Sequence, residues 1–315
     1  MSALATPRLP DPIQRDEVAR RLPPLDEQLE LVEETYRAMA RGEAELPAKI
    51  GVHPRPDSFL HAMPAYLRAA DAVVLKWVSG FPGNPRRGLP FISGVIVVNE
   101  ADTGVPMALM DAAEITAART AAASGVCIRR WAPPRWRRAA ILGCGEQARY
   151  HAAVIRHLQP DVEITGFDPV PGRVETLGGD VRVAKSAAEA VAGAEVIVTA
   201  GPIVEHPSSP LIPAWLGGHS WLLLPIDFDL YVSAEAAAAA DLFVSDDVTQ
   251  FEAYRAHGHF AGWPAPNGSV GEALEDGREG RRVLACNLGV ATLDAAFARA
   301  VLDRSAIVSA DPGRA

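Results

Sequence analysis

Apolar positions along this chain fall into three regimes. In residues 25–41, Leu29, Val32, Tyr36 and Met39 repeat at helical spacing and predict one amphipathic helix. Across residues 46–110 the apolar runs are short, at 49–52, 58–61, 72–78 and 92–98. Turn clusters such as Gly80-Phe-Pro-Gly-Asn-Pro85 and Asn99-Glu-Ala-Asp-Thr-Gly104 separate them, which predicts a β-rich domain. Residues 111–130 form an alanine-rich helical run that Pro133-Pro134 ends. Beyond it, predicted strands at 136–142, 162–167, 181–183, 195–199, 220–224 and 242–244 alternate with helices at 147–157, 186–192 and 234–240. That alternation predicts a parallel sheet wound with helices. A last helix at 290–303 follows Asn287-Leu-Gly289, and there is no internal repeat. Residues 1–24 carry many prolines and charges and predict a loose arm; the glycine- and proline-rich stretch 258–268 predicts a loop or lid.

The sharpest local signal is Ile141-Leu-Gly-Cys-Gly-Glu-Gln-Ala148, set between a predicted strand and a predicted helix. Gly143 permits a tight turn, Gly145 lets backbone approach a pyrophosphate, and Ala148 is small enough for close helix–strand packing. Gln147 opens the predicted helix with Glu146 just ahead of it, both candidates to meet the cofactor, and the helix amides and dipole favour an anion. The next strand ends at Asp168, where a carboxylate can accept from both ribose hydroxyls and would repel a 2′-phosphate. Together these features point to NAD(H) as cofactor, in preference to NADP(H).

The 315 residues are 49% hydrophobic, ample for a sizeable core, and their length favours two domains. Acidic residues outnumber Lys and Arg 39 to 30, a net charge of −9 without a long basic run, which argues against nucleic acid and anionic membrane as main partners. Cys127, Cys144 and Cys286 are widely spaced, and the histidines show no metal-ligand spacing, so no metal is expected. The N-terminal residues lack a signal-peptide core, and no segment has the length of a membrane span. A cytoplasmic protein with reduced thiols is the expectation.

Several segments, in order over residues 45–300, resemble the ornithine cyclodeaminase/μ-crystallin family. Met110-Asp-Ala-Ala-Glu-Ile-Thr-Ala-Ala-Arg-Thr-Ala-Ala122 resembles the family's helix into the nucleotide domain, and Leu75-Lys-Trp-Val-Ser-Gly-Phe-Pro-Gly-Asn84 its lysine-bearing strand. Gly143-Cys-Gly-Glu-Gln-Ala148 resembles its cofactor turn, residues 187–196 its fourth-strand approach, and Asn287-Leu-Gly-Val-Ala291 its C-terminal return. The resemblance implies a homodimer paired through the β-rich domain, with a substrate pocket between that domain and the nucleotide sheet. It also implies a small α-amino acid or its imine as substrate.

Each candidate side chain has a plainer reading beside the one that the resemblance implies. Lys76 interrupts an apolar strand and by itself reads as a solvated position; the resemblance implies carboxylate binding or proton transfer. Arg119, among alanines, reads as an exposed helix arginine or as a guanidinium forking onto a carboxylate. Lys49 stands where the family usually has arginine, keeping the charge and losing the fork; otherwise it is a surface lysine. Asp227 and Asp229 follow the strand end Leu224-Pro-Ile226, where the family's glycine-containing turn is replaced. The resemblance favours Asp227 as acid/base or ammonium anchor, and loop capping is the plainer role, above all for Asp229. Thr120 and Ser93 are candidates to touch cofactor or substrate.

The expectation is therefore an α/β protein: a Rossmann-type doubly wound parallel sheet over residues 119–287, and a β-rich substrate and dimerisation domain from 1–118 plus 288–315. Its expected function is NAD(H)-dependent oxidoreduction of an amino acid or imine, as an imine reductase or amino-acid dehydrogenase. The alternatives are cyclodeamination of ornithine or a similar diamino acid with loss of ammonia, and nucleotide-regulated binding of a small ligand.

Overall fold

The computed structural model describes residues 9–204 and 207–310, with side chains described as far as residue 304. In chain order these form helices α1 (Arg15–Arg21) and α2 (Leu25–Ala40), strands β1 (Ala44–Glu45), β2 (Ile50–Val52), β3 (Phe59–Leu67), β4 (Ala72–Gly80), β5 (Ile92–Asn99) and β6 (Pro106–Asp111), and helix α3 (Ala113–Trp131). There follow β7 (Arg138–Leu142), α4 (Glu146–Leu158), β8 (Glu163–Phe167), β9 (Arg182–Val183), α5 (Ala187–Val191), β10 (Val196–Thr199), β11 (Trp221–Pro225) and α6 (Ala234–Ala238). The chain closes with β12 (Leu242–Ser245), α7 (Val248–Ala256), β13 (Gly268–Ser269), α8 (Val270–Glu275), β14 (Arg282–Cys286) and α9 (Ala291–Ala310). Two compact units result: Met1–Leu31, Arg41–Thr116 and Val290–Ala315 in one, Val32–Ala40 and Ala117–Gly289 in the other.

The first unit is an antiparallel sheet in the order β1-β3-β4-β5-β6, with β2 also paired to β3. Helix α9 packs on β3, β4 and β5. Alternation along β4 sends Val74, Lys76 and Val78 to the covered face and Leu75 and Trp77 to the other. Cross-strand register puts Met63, Lys76, Ile96 and Met110 in one buried row. On the opposite face Leu75, Trp77 and Val95 are 39–40% exposed, and Met107, Ile50 and Val52 more so. The N-terminal arm is not loose from residue 13 onward. Ile13 bridges Met110, α1 packs on β6 and α9, and Val18 is fully buried. Residues 1–8 of that arm lie outside the described residues.

The second unit carries a parallel sheet in the order β13-β12-β14-β11-β10-β7-β8-β9. Every residue of β10, β11 and β12 is buried, as is all of β7 and β14 beyond the first residue. A sheet covered on both faces requires such unbroken apolar runs. Strand order reverses between β7 and β10, the topological switch point at which this architecture opens a crevice beyond the strands' carboxyl ends. His151 ties α4 to α3: one ring nitrogen lies 2.8 Å from the Gln147 carbonyl and the other 2.9 Å from Ser124 Oγ. Strand β14, central to the sheet, was not expected from the sequence. Nor is the stretch around 258–268 a free lid, since Phe260 and Trp263 are buried against Phe243 and Phe251.

Candidate active site

At the switch point the glycine turn is held from two sides. Gly143 sits at φ +82°, and a Cβ there would come within 2.7 Å of the Ala200 backbone, so a left-handed, side-chain-free residue is required. Its N–H donates to the Phe167 carbonyl. The Cys144 N–H donates to Asp168 Oδ2 at 2.8 Å, while Asp168 Oδ1 accepts from Val170 N–H. Asp168 is thus more withdrawn than a ribose-facing carboxylate needs to be: its side chain is 3% exposed, with the Arg173 guanidinium 3.8 Å away. The Cys144 thiol, pushed up to about 12 by burial and by Asp168, stays protonated, and its contribution is its backbone.

A pyrophosphate needs open space before the turn, and a Cβ built on Gly145 meets nothing within 4 Å. Gly145 is the N-cap of α4, so the first-turn amides of a 13-residue helix face that space. Glu146 brings a negative charge to the same turn, with the Arg149 guanidinium 4.0 Å from it. Ala148 is fully buried, in keeping with close packing behind the turn. These residues fit a dinucleotide phosphate.

Asp227 lies just beyond the end of β11, beside the turn. It is 1% exposed; Oδ1 accepts from the Thr199 hydroxyl at 2.5 Å and Oδ2 from Gly201 N–H at 2.8 Å. Burial outweighs these donors and lifts its pKa to about 7. A carboxyl that exchanges its proton near neutrality can act as acid or base. Asp229 does different work, accepting from Phe260 N–H at 2.7 Å with His259 Nδ1 at 3.3 Å, and so pins the 258–268 loop. Tyr231, which the sequence did not single out, joins the cluster. Burial and the negative charges of Asp227 and Asp168 raise its phenol to about 12.

Arg119 is buried at 5% exposure, contrary to the exposed helix position its alanine neighbours suggested. Its guanidinium lies against Gly289, where an added Cβ would stand 2.7 Å from Nη1. That glycine turn is held by Asp246, whose two carboxylate oxygens accept from Leu288 N–H and Gly289 N–H. Asp246 follows β12 as Asp168 follows β8, so the rule that found one strand-end acid could have found the other. Thr120, next to Arg119 on α3, is also buried.

In the antiparallel unit, Lys76 is fully buried rather than solvated, and its Nζ lies 2.6 Å from Asp294 Oδ2 of α9, itself fully buried. His61, on the same face, is depressed to about 3 by burial and by the positive charges of Lys49, His53 and Lys76. Lys49 is half-buried immediately before β2. Ser93 does not join them, because it faces Ser79 on the other side of the sheet, with hydroxyls 3.0 Å apart. Asp294 was missed, although a lone acid in Ala291-Thr-Leu-Asp-Ala-Ala-Phe297 is a detectable signal. Among the described residues no group of three His, Cys, Asp or Glu side chains could hold a metal.

A doubly wound sheet with a glycine turn and a strand-end carboxyl at its switch point defines the dinucleotide-binding class of α/β proteins. Within that class, the chain belongs to the ornithine cyclodeaminase/mu-crystallin family, whose model matches residues 13–246. It is 34% identical over 304 residues to the nodulation efficiency protein NfeD of Rhizobium meliloti, covering 92% of this chain and 94% of that protein. A shorter match, 35% over 145 residues, covers 45% of this chain and 46% of the ketimine reductase mu-crystallin of Mus musculus. Among solved structures, an archaeal alanine dehydrogenase dimer with bound NAD superposes with a TM-score of 0.81 at 25% identity, over 95% of this chain and 96% of that one.

Proposed function

We propose that this protein is an NAD(H)-dependent oxidoreductase that interconverts a small α-amino acid and the corresponding imine. The observation that carries the proposal is Asp227: a buried carboxyl, poised to titrate near pH 7, beside a glycine turn at the switch point of the sheet. Amine and imine differ by a hydride and a proton, and such a group answers the proton's half of the reaction. The ketimine reductase and the NAD-bound alanine dehydrogenase to which the chain is similar support the same reaction class.

The backbone of Gly143, Cys144 and Gly145 and the amides of Glu146 and Gln147 would hold the pyrophosphate, with Asp168 fixing the turn and Thr120 nearby in sequence to Arg119. When bound, the nicotinamide supplies the hydride chemistry. Asp168 gives the adenosine end a carboxylate, which favours NAD(H). Arg119 is assigned to the substrate carboxylate, because its guanidinium is buried and held by a shaped turn. Lys76 is assigned carboxylate binding or proton transfer, and Lys49 a supporting positive charge. Asp227 holds the amino group or moves its proton.

The protein is assigned as a homodimer that covers the exposed apolar face of its antiparallel sheet, where Leu75, Trp77 and Val95 sit together. Among the described residues no helix is long and apolar enough to cross a membrane. A cytoplasmic location suits its three buried, free cysteines.

The test is absorbance at the reduced-nicotinamide band. Protein is mixed with NADH and a panel of 2-oxo acids with ammonia or amines, together with cyclic imines; NAD⁺ with amino acids is assayed in parallel for NADH and free ammonia. Stoichiometric change in NADH is the expected result. Ammonia release without net NADH change would replace it with cyclodeamination, and bound cofactor without turnover across the panel would favour a nucleotide-regulated binding protein.

A further inference from the structure

We propose that Asp294 is the positioning residue of Lys76: it fixes the ammonium in the buried row of the antiparallel sheet and keeps it protonated for use on the substrate. The inference deepens the assignment of Lys76 made above and rests on it. The geometry is a 2.6 Å pair between Nζ and Oδ2, with both side chains at 0% exposure. Taking two charges out of water costs more than an ordinary packed pair returns, and well-packed apolar residues in such places are often equal or better for stability. The flanking positions of the row, Met63, Ile96 and Met110, are already apolar, so packing alone would be met by one more such residue.

Composition sharpens the argument. The chain has 27 arginines and three lysines, Lys49, Lys76 and Lys185, so its default cation is the guanidinium. At position 76 it uses an ammonium, the cation that can give up a proton, in a buried place where the partner carboxylate governs whether it does. Asp294 lies in the first turn of α9, where the helix dipole favours a negative charge. Nearby on this face His61 from β3 is neutral, because burial and the positive charges of Lys49, His53 and Lys76 depress it. Lys49, ahead of β2, opposes further positive charge, and Asp294 favours it.

The experiment follows Lys76 itself. With three lysines in the chain, protein labelled with ¹³C-lysine gives a sparse spectrum, in which the Lys76 Cε signal is assigned by its loss in Lys76→Met. In Asp294→Asn this signal is expected to titrate more than about one pH unit lower than in the full-length native protein. The alkaline limb of kcat/KM should move down with it. An unchanged titration overturns the proposal, as does a shifted titration with an unmoved pH–rate limb. Should Asp294→Asn fail to fold, Asp294→Glu carries the test: the charge stays on a longer stem, so KM for the amino acid should rise on the order of tenfold, with NADH affinity retained. Unchanged KM and kcat would overturn it. The titration needs no substrate, so it still decides the role of Asp294 if no compound in the panel turns over and the functional reading itself fails.

Discussion

At the scale of single residues, the site is a set of charges that folding has placed where water is scarce. Asp227 is the clearest case. Its carboxyl is raised to about 7 by burial, with the Thr199 hydroxyl and Gly201 N–H only partly offsetting that burial. Asp227→Asn keeps the shape and removes the exchangeable proton, so kcat should fall by roughly 10²–10⁴ while NADH binding persists. The inflection near pH 7 in the rate profile of the native protein should vanish in the variant; stopped-flow rates across pH 5–9 check both. The place of Asp227 at a strand end was legible in the sequence because a strand-end acid is a local pattern, and its division of labour with Asp229 was open because only Phe228 separates them on one loop. The burial of Lys76 and of Arg119 was not legible. A lysine in an alternating strand and an arginine among alanines look exposed until the partners arrive, and those partners, Asp294 and the Gly289 turn, come from the far end of the chain.

At the scale of elements, the glycine turn is a joint between β7, α4, β8 and β10. Gly143 at φ +82° packs against Ala200, and Asp168 clamps the Cys144 amide, so the two anchors act on adjacent residues. Gly143→Ala would combine a left-handed strain with a 2.7 Å clash against backbone and should abolish measurable cofactor binding. Asp168→Ala releases the Cys144 amide and removes a negative charge from the turn. NADH affinity should drop on the order of tenfold and the preference over NADPH should shrink, as fluorescence titration with both nucleotides would record. The alternation of strands and helices made this part of the fold readable, because a doubly covered parallel sheet demands uninterrupted apolar runs. Strand β14 escaped because Val283-Leu-Ala-Cys286 is a short run behind a charged, glycine-containing stretch, with no periodicity of its own. Helix α1 escaped because seven residues with one buried side chain, Val18, carry almost no pattern.

At the scale of the whole molecule, one apolar surface asks for a cover. Leu75, Trp77, Val95 and Met107 are exposed on one face of the antiparallel sheet, and grouped apolar residues of this kind are the chemistry of an association surface. Trp77→Asp should therefore yield a monomer in sedimentation velocity, with the native protein sedimenting as a dimer. A native monomer at micromolar concentration would remove the homodimer assignment.

The buried titratable groups also set how stability responds to pH. His61 and His151, held near 3 and 4 by burial, are neutral in the folded chain over a range where the unfolded chain, titrating near 6.5, is protonated. Their contribution is present above pH 6.5 and is lost as pH falls toward 3. Asp227 works in the opposite sense, because its folded value near 7 exceeds the ordinary 3.8. Its contribution is complete below about pH 4 and is lost as pH rises through 7, at a cost of roughly 4 kcal/mol once ionised. Between pH 4 and 6.5 two histidines outweigh one carboxyl, so stability climbs. Above 6.5 what the histidines still gain and what the carboxyl still loses nearly cancel, so stability levels off. A melting temperature that climbs to about pH 6.5 and then stays flat is the expected result by calorimetry. In Asp227→Asn the acid-side rise should be about twice as steep. An unchanged slope would mean that Asp227 is not the carboxyl that titrates near neutrality.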